Sequence, residues 1–371
     1  MSHKIVTRVR TLAAFIAFGL ASSTSDATQQ CALDPAAIDR FLRREADSGR
    51  FSGVVLIERS GKVLLNRAYG RVGRENAFWV ASTTKQFTAA AVLRLVDEGK
   101  LALSDSIYHF FRSAPRRARA ITIEQLLTHT SGISASGIAN GIGDRNEAVD
   151  AILSEPLESS SSTTYRYADE NYNVLAAIIE VVSGKPYEAF VERALLIPAG
   201  LSHTGFCGRL APNVKLAPSA EPDAPPPCAA GATPVDWADR GATGLLSTAT
   251  DLLRWSVVLR TGHILSAASR AALERGKVFV RHEGNDDIYY SYGARVYMQG
   301  RRRREVWHSG YDVRVGQSST VRILDNGPTI VVLSNSGLDA IGQPRAAVIA
   351  RDVEACRTTG KGFGRVLLPR K

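Results

Sequence analysis

The chain has 371 residues, 44% of them hydrophobic and 22% charged, with a formal net charge of +10. That length and apolar content suit one large or two ordinary domains with a sizeable core, and they exclude disorder over most of the chain. The positive charge is dispersed and nothing resembles a nucleic-acid module; its one cluster, Arg301 to Arg304, lies between strand-like segments and reads as a solvated hairpin tip.

In chain order, Lys4, Arg8 and Arg10 precede an apolar run from Leu12 to Ala21, and small residues follow around Ser25 and Ala27. This is the pattern of an export signal over residues 1–27. The run is too short for a membrane span, and no other segment reaches the roughly 20 apolar residues a span needs, so a periplasmic or secreted mature chain with no transmembrane anchor is expected. Asp34-Pro35 supplies a cap and a first-turn proline for a helix of about 12 residues. Val54 to Ile57 and Val63 to Leu65 form a hairpin about Ser60-Gly61. Phe78 to Val80 is a short strand that delivers Ser82 to the first turn of a helix running through Gln86 to Glu98 and ending at Gly99.

Helices and loops then dominate: Ile123 to Thr128, Tyr172 to Val182, Tyr187 to Leu196, and a helix opened by the capping box Thr248 to Asp251 and ending near Gly262. Ser159 to Thr164 is a loop. Strands return after about residue 288, at Tyr292 to Met298, Arg304 to His308, Ser318 to Leu324 and Thr329 to Asn335, and a helix from Leu338 to Cys356 closes the chain. The order implies an α+β fold: an antiparallel sheet flanked by N- and C-terminal helices, built from residues 28–85 and 256–371, with a mainly helical domain, 86–255, inserted. Of the four cysteines, Cys207 and Cys228 have the spacing of a bridge around a proline-rich loop that holds Pro218, Pro222 and Pro225 to Pro227, which leaves Cys31 to join Cys356 across the two chain ends. No Cys-x-x-Cys or Cys/His cluster suggests a metal.

The residues that carry chemistry lie far apart. Ser82 and Lys85 share a helical face one turn apart, an arrangement that can make a nucleophile of a hydroxyl inert at its own pKa. Tyr167-Ala168-Asp169 precedes the Tyr172 helix, and His308-Ser309-Gly310 sits at a strand end. With Leu126 to Gly132, Ile197 to Leu201 and Gly244 to Ala249 in the same order, residues 35 to 355 resemble the serine β-lactamase and penicillin-binding-protein superfamily. The resemblance is to the branch of class C β-lactamases, D,D-carboxypeptidases, D-aminopeptidases and β-lactamase-like esterases.

The resemblance implies a β-lactamase/transpeptidase-like fold and an exported serine hydrolase that forms an acyl-enzyme at Ser82. Its oxyanion would be held by the backbone N–H groups of Ser82 and Tyr311, next to Ser309 and Gly310, and its base would be Lys85 or Tyr167. The implied partner is a small-molecule or peptide acyl substrate, with peptidoglycan-derived peptides one source, and neither metal nor organic cofactor is implied. Two positions depart from the family pattern. Asp169 stands where an asparagine is usual, can only accept hydrogen bonds when ionised, and would hold Lys85 protonated on contact, which tilts the base assignment toward Tyr167; it could also receive a cationic amine. His308 stands where β-lactamases place lysine and is mostly neutral at pH 7, which favours a D-amino-acid peptidase or carboxypeptidase reading over an esterase or β-lactamase. A neutral His308 would give kcat/KM an acid limb in the ordinary histidine range. His129 is expected to hold a turn and Asp251 only to cap a helix. The alternative from another class is a non-catalytic or slow-turnover sensor module that binds β-lactam or peptidoglycan and keeps the fold.

Overall fold

The computed structural model describes residues 33–158, 164–220, 227–228 and 236–359, with side chains as far as 354. The export signal, Cys31, the Cys356 side chain, most of the Ser159 to Thr164 loop, and Pro222, Pro225 and Pro226 lie outside the described residues.

Asp34 accepts a hydrogen bond from the Ala36 N–H (2.9 Å) and opens helix α1, Pro35–Asp47. The hairpin follows as β1, Gly53–Arg59, and β2, Lys62–Tyr69, turning through Ser60 and Gly61, both with positive φ. The short strand β3, Phe78–Trp79, pairs away from the main sheet with β4, Leu246–Ser247. Between them lie α2 (Thr84–Asp97), α3 (Ile107–Phe110), α4 (Ile123–Leu127), α5 (Arg145–Ser154), α6 (Glu170–Ser183) and α7 (Tyr187–Val191), the last continuing as a π-helical turn. Then come α8 (Ala249–Thr261), α9 (Ala267–Glu274), β5 (Val278–Glu283), β6 (Asp286–Tyr290), β7 (Arg295–Gln299), β8 (Arg302–Asp312), β9 (Gln317–Leu324), β10 (Thr329–Ser334) and α10 (Arg345–Thr359).

Among the described residues the main sheet has eight strands in the order β2-β1-β10-β9-β8-β7-β6-β5, and each pairing is antiparallel. Both halves of the chain therefore complete one sheet, as the element order implies. Strand alternation divides two cores: Val54, Leu56, Val331 and Leu333 face α2 and α8, whereas Val55, Ile57, Ile330 and Val332 face α1 and α10. A sheet covered on both faces needs apolar residues at every position of its central strands, which is why β1 and β10 read as continuous hydrophobic runs. Helix α2 is buried around nearly its whole circumference and stacks Phe87 on Trp255 of α8 at 4.3 Å. A helix so enclosed has one fixed orientation, which fixes the direction of Lys85.

Several expectations change. The strands return at Val278, ahead of residue 288, because β5 and β6 form an exposed hairpin whose Arg281-His282-Glu283 stretch masks the strand pattern. The closing helix begins at Arg345, since Leu338 bridges Pro344 and Asp339 ties down the intervening turn. Helix α5, not anticipated from the sequence, is capped by Asp144 and buries an apolar stripe of Ala148, Val149, Ile152 and Leu153. The arginine cluster is a hairpin tip in its first half only: Arg301 lies in the turn from β7 to β8 and, like Arg302, is exposed, whereas Arg303 pairs with Asp325 (2.9 Å) and Glu274 (2.5 Å) and Arg304 pairs with Asp286 (2.9 Å). His308 is internal to β8, because that strand runs on to Asp312 after its pairing with β7 ends at Trp307.

Cys207 and Cys228 are bridged, 21 residues apart, and pack with Trp79 and Leu246 beneath the turn that carries Ser82. Closing a loop of that length removes unfolded-state freedom worth about 3 kcal/mol. Cys207→Ser with Cys228→Ser is therefore expected to lower unfolding free energy in urea by about that amount, and an unchanged denaturation midpoint would show that the bridge contributes nothing.

Candidate active site

Ser82 occupies a single 3₁₀ turn, Ala81–Thr83, between β3 and α2. Ala81 takes a left-handed φ of 46°, a strained conformation for a residue with a side chain. The surroundings hold it there: the Val80 N–H donates to the Leu245 carbonyl (2.9 Å), and the Ser319 hydroxyl of β9 donates to the Val80 carbonyl (2.6 Å). Across from the turn runs the part of β8 beyond Trp307, whose pairings are to β9 alone. Gly310 is required at this crossing, since a Cβ there would lie 2.3 Å from the Val80 oxygen and 2.6 Å from the Ser82 nitrogen. The backbone edge at Ser309 to Tyr311 thus lies against the Ser82 turn.

Lys85, in the first turn of α2, is completely buried. Its Nζ lies 3.1 Å from Ser82 Oγ, 2.7 Å from Asp169 Oδ1 and 3.1 Å from the Ala242 carbonyl oxygen. Asp169 stands at the cap position of α6, yet its side chain makes no capping bond and turns to Lys85, leaving 43% of its surface exposed. Burial pulls the Lys85 pKa down from the lysine range, and Asp169 opposes the shift. Three acceptors suit an ammonium. They suit a neutral amine equally, which would donate to Asp169 and Ala242 and accept the Ser82 proton.

Tyr167 lies over this group, with Lys85 Nζ 4.9 Å from its ring centre and its hydroxyl hydrogen-bonded to Ser82. Burial first, then Asp169, push its pKa well above the ordinary tyrosine range, while Arg295 and the Ser82 contact pull the other way. Asp169 does touch Lys85, but the directions of both shifts run against a phenolate at neutral pH. His308 is fully buried; its Nδ1 donates to the Ser309 carbonyl (2.7 Å) and its Nε2 faces the Tyr290 hydroxyl at 3.4 Å. Burial, with Arg295 and Lys85, takes its pKa well below the histidine range. An acid limb attributed to His308 therefore lies below the ordinary histidine range and not within it.

His129 does sit in a turn, with φ of 57°, and its Nδ1 accepts from the Ala168 N–H (3.3 Å) and faces the Asn171 amide (3.3 Å). Its ring packs on Tyr167 at 4.4 Å and on Tyr290 at 4.7 Å, so the turn it holds is part of the wall behind Tyr167. Asp251 does more than cap: its carboxylate accepts from the His203 N–H (2.8 Å) and the Thr204 hydroxyl (2.9 Å).

Sequence reasoning missed Ala242 and Arg295. A backbone carbonyl has no residue-type signal, and Arg295 is one arginine among many in the last third of the chain. Its guanidinium lies 5.6 Å from the Tyr167 ring centre and 5.1 Å from that of Trp307, and it has no carboxylate partner among the described residues. The tyrosines Tyr165 and Tyr290 complete its surroundings.

An antiparallel sheet with helices on both faces, a Ser-x-x-Lys turn and an open strand edge beside it define the β-lactamase/transpeptidase-like class. The profile of the Beta-lactamase family matches residues 38–353, and the chain belongs to that family. The chain is 31% identical over 201 residues to Protein flp of Staphylococcus aureus, a match covering 49% of this chain and 39% of that protein. It thus spans about two fifths of the length of the curated relatives it matches. In fold it is similar to the octameric penicillin-binding protein homologue of Pyrococcus abyssi (TM-score 0.74, 23% identity, 90% of this chain and 79% of that one). It is also similar to the D-amino acid amidase of Ochrobactrum anthropi SV3 in complex with D-phenylalanine (TM-score 0.69, 20% identity, 88% and 99%).

His129 and His308 are both held neutral by burial, with pKa values depressed from 6.5. Their stabilising contribution is complete above that unfolded-state value and is lost as pH falls below it, at up to roughly 1.4 kcal/mol per pH unit for each group. Urea denaturation at about pH 7 and about pH 5 is expected to show the loss, and His308→Gln to reduce its slope; a midpoint that stays constant would contradict the buried neutral state.

Proposed function

We propose that the protein is an exported serine acyl hydrolase acting on small D-amino-acid amides or peptides. The observation that carries this reading is the placement of a fully buried Lys85 amine 3.1 Å from Ser82 Oγ and 2.7 Å from Asp169. In this reading neutral Lys85 takes the Ser82 proton as Oγ bonds to the acyl carbon, and Asp169 stabilises the ammonium that results. The oxyanion is received by the N–H groups of Ser82 and Tyr311 on the crossing of β8 with the Ser82 turn. Tyr167 passes its proton to the departing amine or alcohol and regains one from the Lys85 ammonium, which returns both groups to their neutral forms, and water then releases the acyl group from Ser82. His308 shapes the strand edge from behind, hydrogen-bonded to the Ser309 carbonyl.

Two features support the substrate class. The part of Asp169 left open suits a cationic amine, and Arg295, a cation with no carboxylate of its own among the described residues, suits a carboxylate at the other end. A structure of this fold holds D-phenylalanine in an amidase. Export is supported by the Cys207–Cys228 bridge, since such bonds persist in oxidising compartments, and by the signal-like residues 1–27. Among the described residues no helix is long and apolar enough to cross a membrane.

A panel of D-amino-acid amides, D-Ala-D-Ala peptides and p-nitrophenyl esters tests the substrate class, and Ser82→Ala is expected to reduce turnover of any active member at least about 10³-fold. Full activity in Ser82→Ala would overturn the reading; a lasting fluorescent-penicillin adduct at Ser82 with no turnover would favour the sensor alternative. The base assignment has its own test. Asp169 raises the pKa of Lys85 and of Tyr167 alike, so Asp169→Asn is expected to move the rising limb of kcat/KM to lower pH, and Tyr167→Phe is expected to slow turnover while keeping that limb. A limb that stays in place in Asp169→Asn, or one lost in Tyr167→Phe, would remove Lys85 from the role.

A further inference from the structure

Behind the Ser82 group, residues 239–245 form a loop stitched to the nucleophile helix. The Ala242 carbonyl accepts from Lys85 Nζ (3.1 Å), the Gly241 carbonyl accepts from the Thr88 hydroxyl (2.6 Å), and the Leu245 N–H donates to the Thr84 hydroxyl (3.2 Å). The loop is folded around Asp239. Its backbone carbonyl accepts from the N–H groups of Thr243 (3.0 Å) and Gly244 (2.9 Å), and its carboxylate accepts from the Thr243 hydroxyl (2.9 Å).

That carboxylate is buried, and so is the carboxylate of Asp312, which directly follows Tyr311 on β8. A single cation joins them. Arg314 places Nη2 2.7 Å from Asp239 Oδ1 and Nη1 3.1 Å from Asp239 Oδ2, while Nη2 lies 2.6 Å from Asp312 Oδ2 and Nε 3.1 Å from Asp312 Oδ1. Among the described residues neither aspartate has another ion-pair partner. The guanidinium also lies 5.3 Å from the Trp79 ring centre, on the strand that leads into the Ser82 turn. Two buried carboxylates left facing each other without a cation repel, so Arg314 favours the observed relative position of the end of β8 and the 239–245 loop.

We propose that Arg314 is a positioning residue for acylation: by clamping Asp239 to Asp312 it sets the Ala242 carbonyl against Lys85 and the Tyr311 edge against Ser82 at the same time. It touches neither the substrate nor the reacting atoms. Its planar fork is what the task requires, because a lysine presents a point charge that cannot bridge two carboxylates in this geometry. The proposal rests on Ser82 being the nucleophile.

The test is the rate of Ser82 labelling by a fluorophosphonate, read by intact mass across about pH 6 to about pH 10, alongside thermal melts. The charged and titratable groups facing Lys85 are Asp169, Glu170, Arg295, His129, His308, Tyr165, Tyr167 and Tyr172, all unchanged in the variants. In Arg314→Ala the plateau rate is expected to fall roughly tenfold to a hundredfold. Its midpoint is expected to move to lower pH, because an ammonium that loses a carbonyl acceptor gives up its proton more easily. Arg314→Lys is expected to recover thermal stability ahead of rate. Should Arg314→Ala fail to fold, Asp239→Asn carries the same test, since it keeps the side-chain shape and removes one side of the clamp. A variant that melts lower but labels at the wild-type rate with the wild-type midpoint would overturn the proposal and leave the function reading intact. A wild-type protein that is never labelled at Ser82 would overturn both.

Discussion

The constraint on which the structure depends is a lysine amine carried wholly out of water. Removing an ammonium from solvent costs several kcal/mol unless acceptors replace the water it leaves, and among the described residues Lys85 has three: the Ser82 hydroxyl, the Asp169 carboxylate and the Ala242 carbonyl. Each comes from a different part of the chain. Satisfying one side chain therefore brings together the start of α2, the start of α6 and the loop before β4. Asp169 forgoes the usual capping bond at the head of α6 to make its contact. The same burial makes the amine able to release its proton, so the feature that costs stability is the one that makes base chemistry available.

A second constraint is steric. The open edge of β8 can reach the Ser82 turn only because position 310 carries no side chain, and the turn itself holds Ala81 in a left-handed conformation. Strain of this kind persists where surrounding bonds determine it, and here Leu245, just before β4, and Ser319 of β9 both bond to Val80. Ser82 is thus presented by backbone geometry, with the eight-stranded sheet acting as the support.

Around these polar groups lies an aromatic shell of Tyr165, Tyr167, Tyr172, Tyr290 and the rings of His129 and His308. It excludes water, which raises the tyrosines and lowers the histidines and Lys85, and so drives every group toward its neutral form. Arg295 and Asp169 are the permanent charges left at its rim.

The sequence alone determined the sheet completed from both chain ends, the hairpin at Ser60-Gly61, the helix carrying Lys85 and the three motifs around Ser82, Tyr167 and His308. Those features rest on local periodicity, capping and turn chemistry, which neighbouring residues encode. It was less informative for β5, where charged residues on an exposed hairpin hide the alternation, and for the start of α10, where a turn ending at Pro344 precedes the helix. Residue type also made His308 look like an ordinary titrating histidine and made Arg303 and Arg304 look as solvated as the exposed Arg301 and Arg302 beside them. Only the tertiary structure decided otherwise, by burying His308 and by setting Asp286, Glu274 and Asp325 against Arg303 and Arg304. The same holds for the Ala242 carbonyl, for Arg295, and for the clamp of Arg314 on Asp239 and Asp312. Pairings between residues tens to hundreds of positions apart depend on burial and distance, and these exist only once the chain has folded.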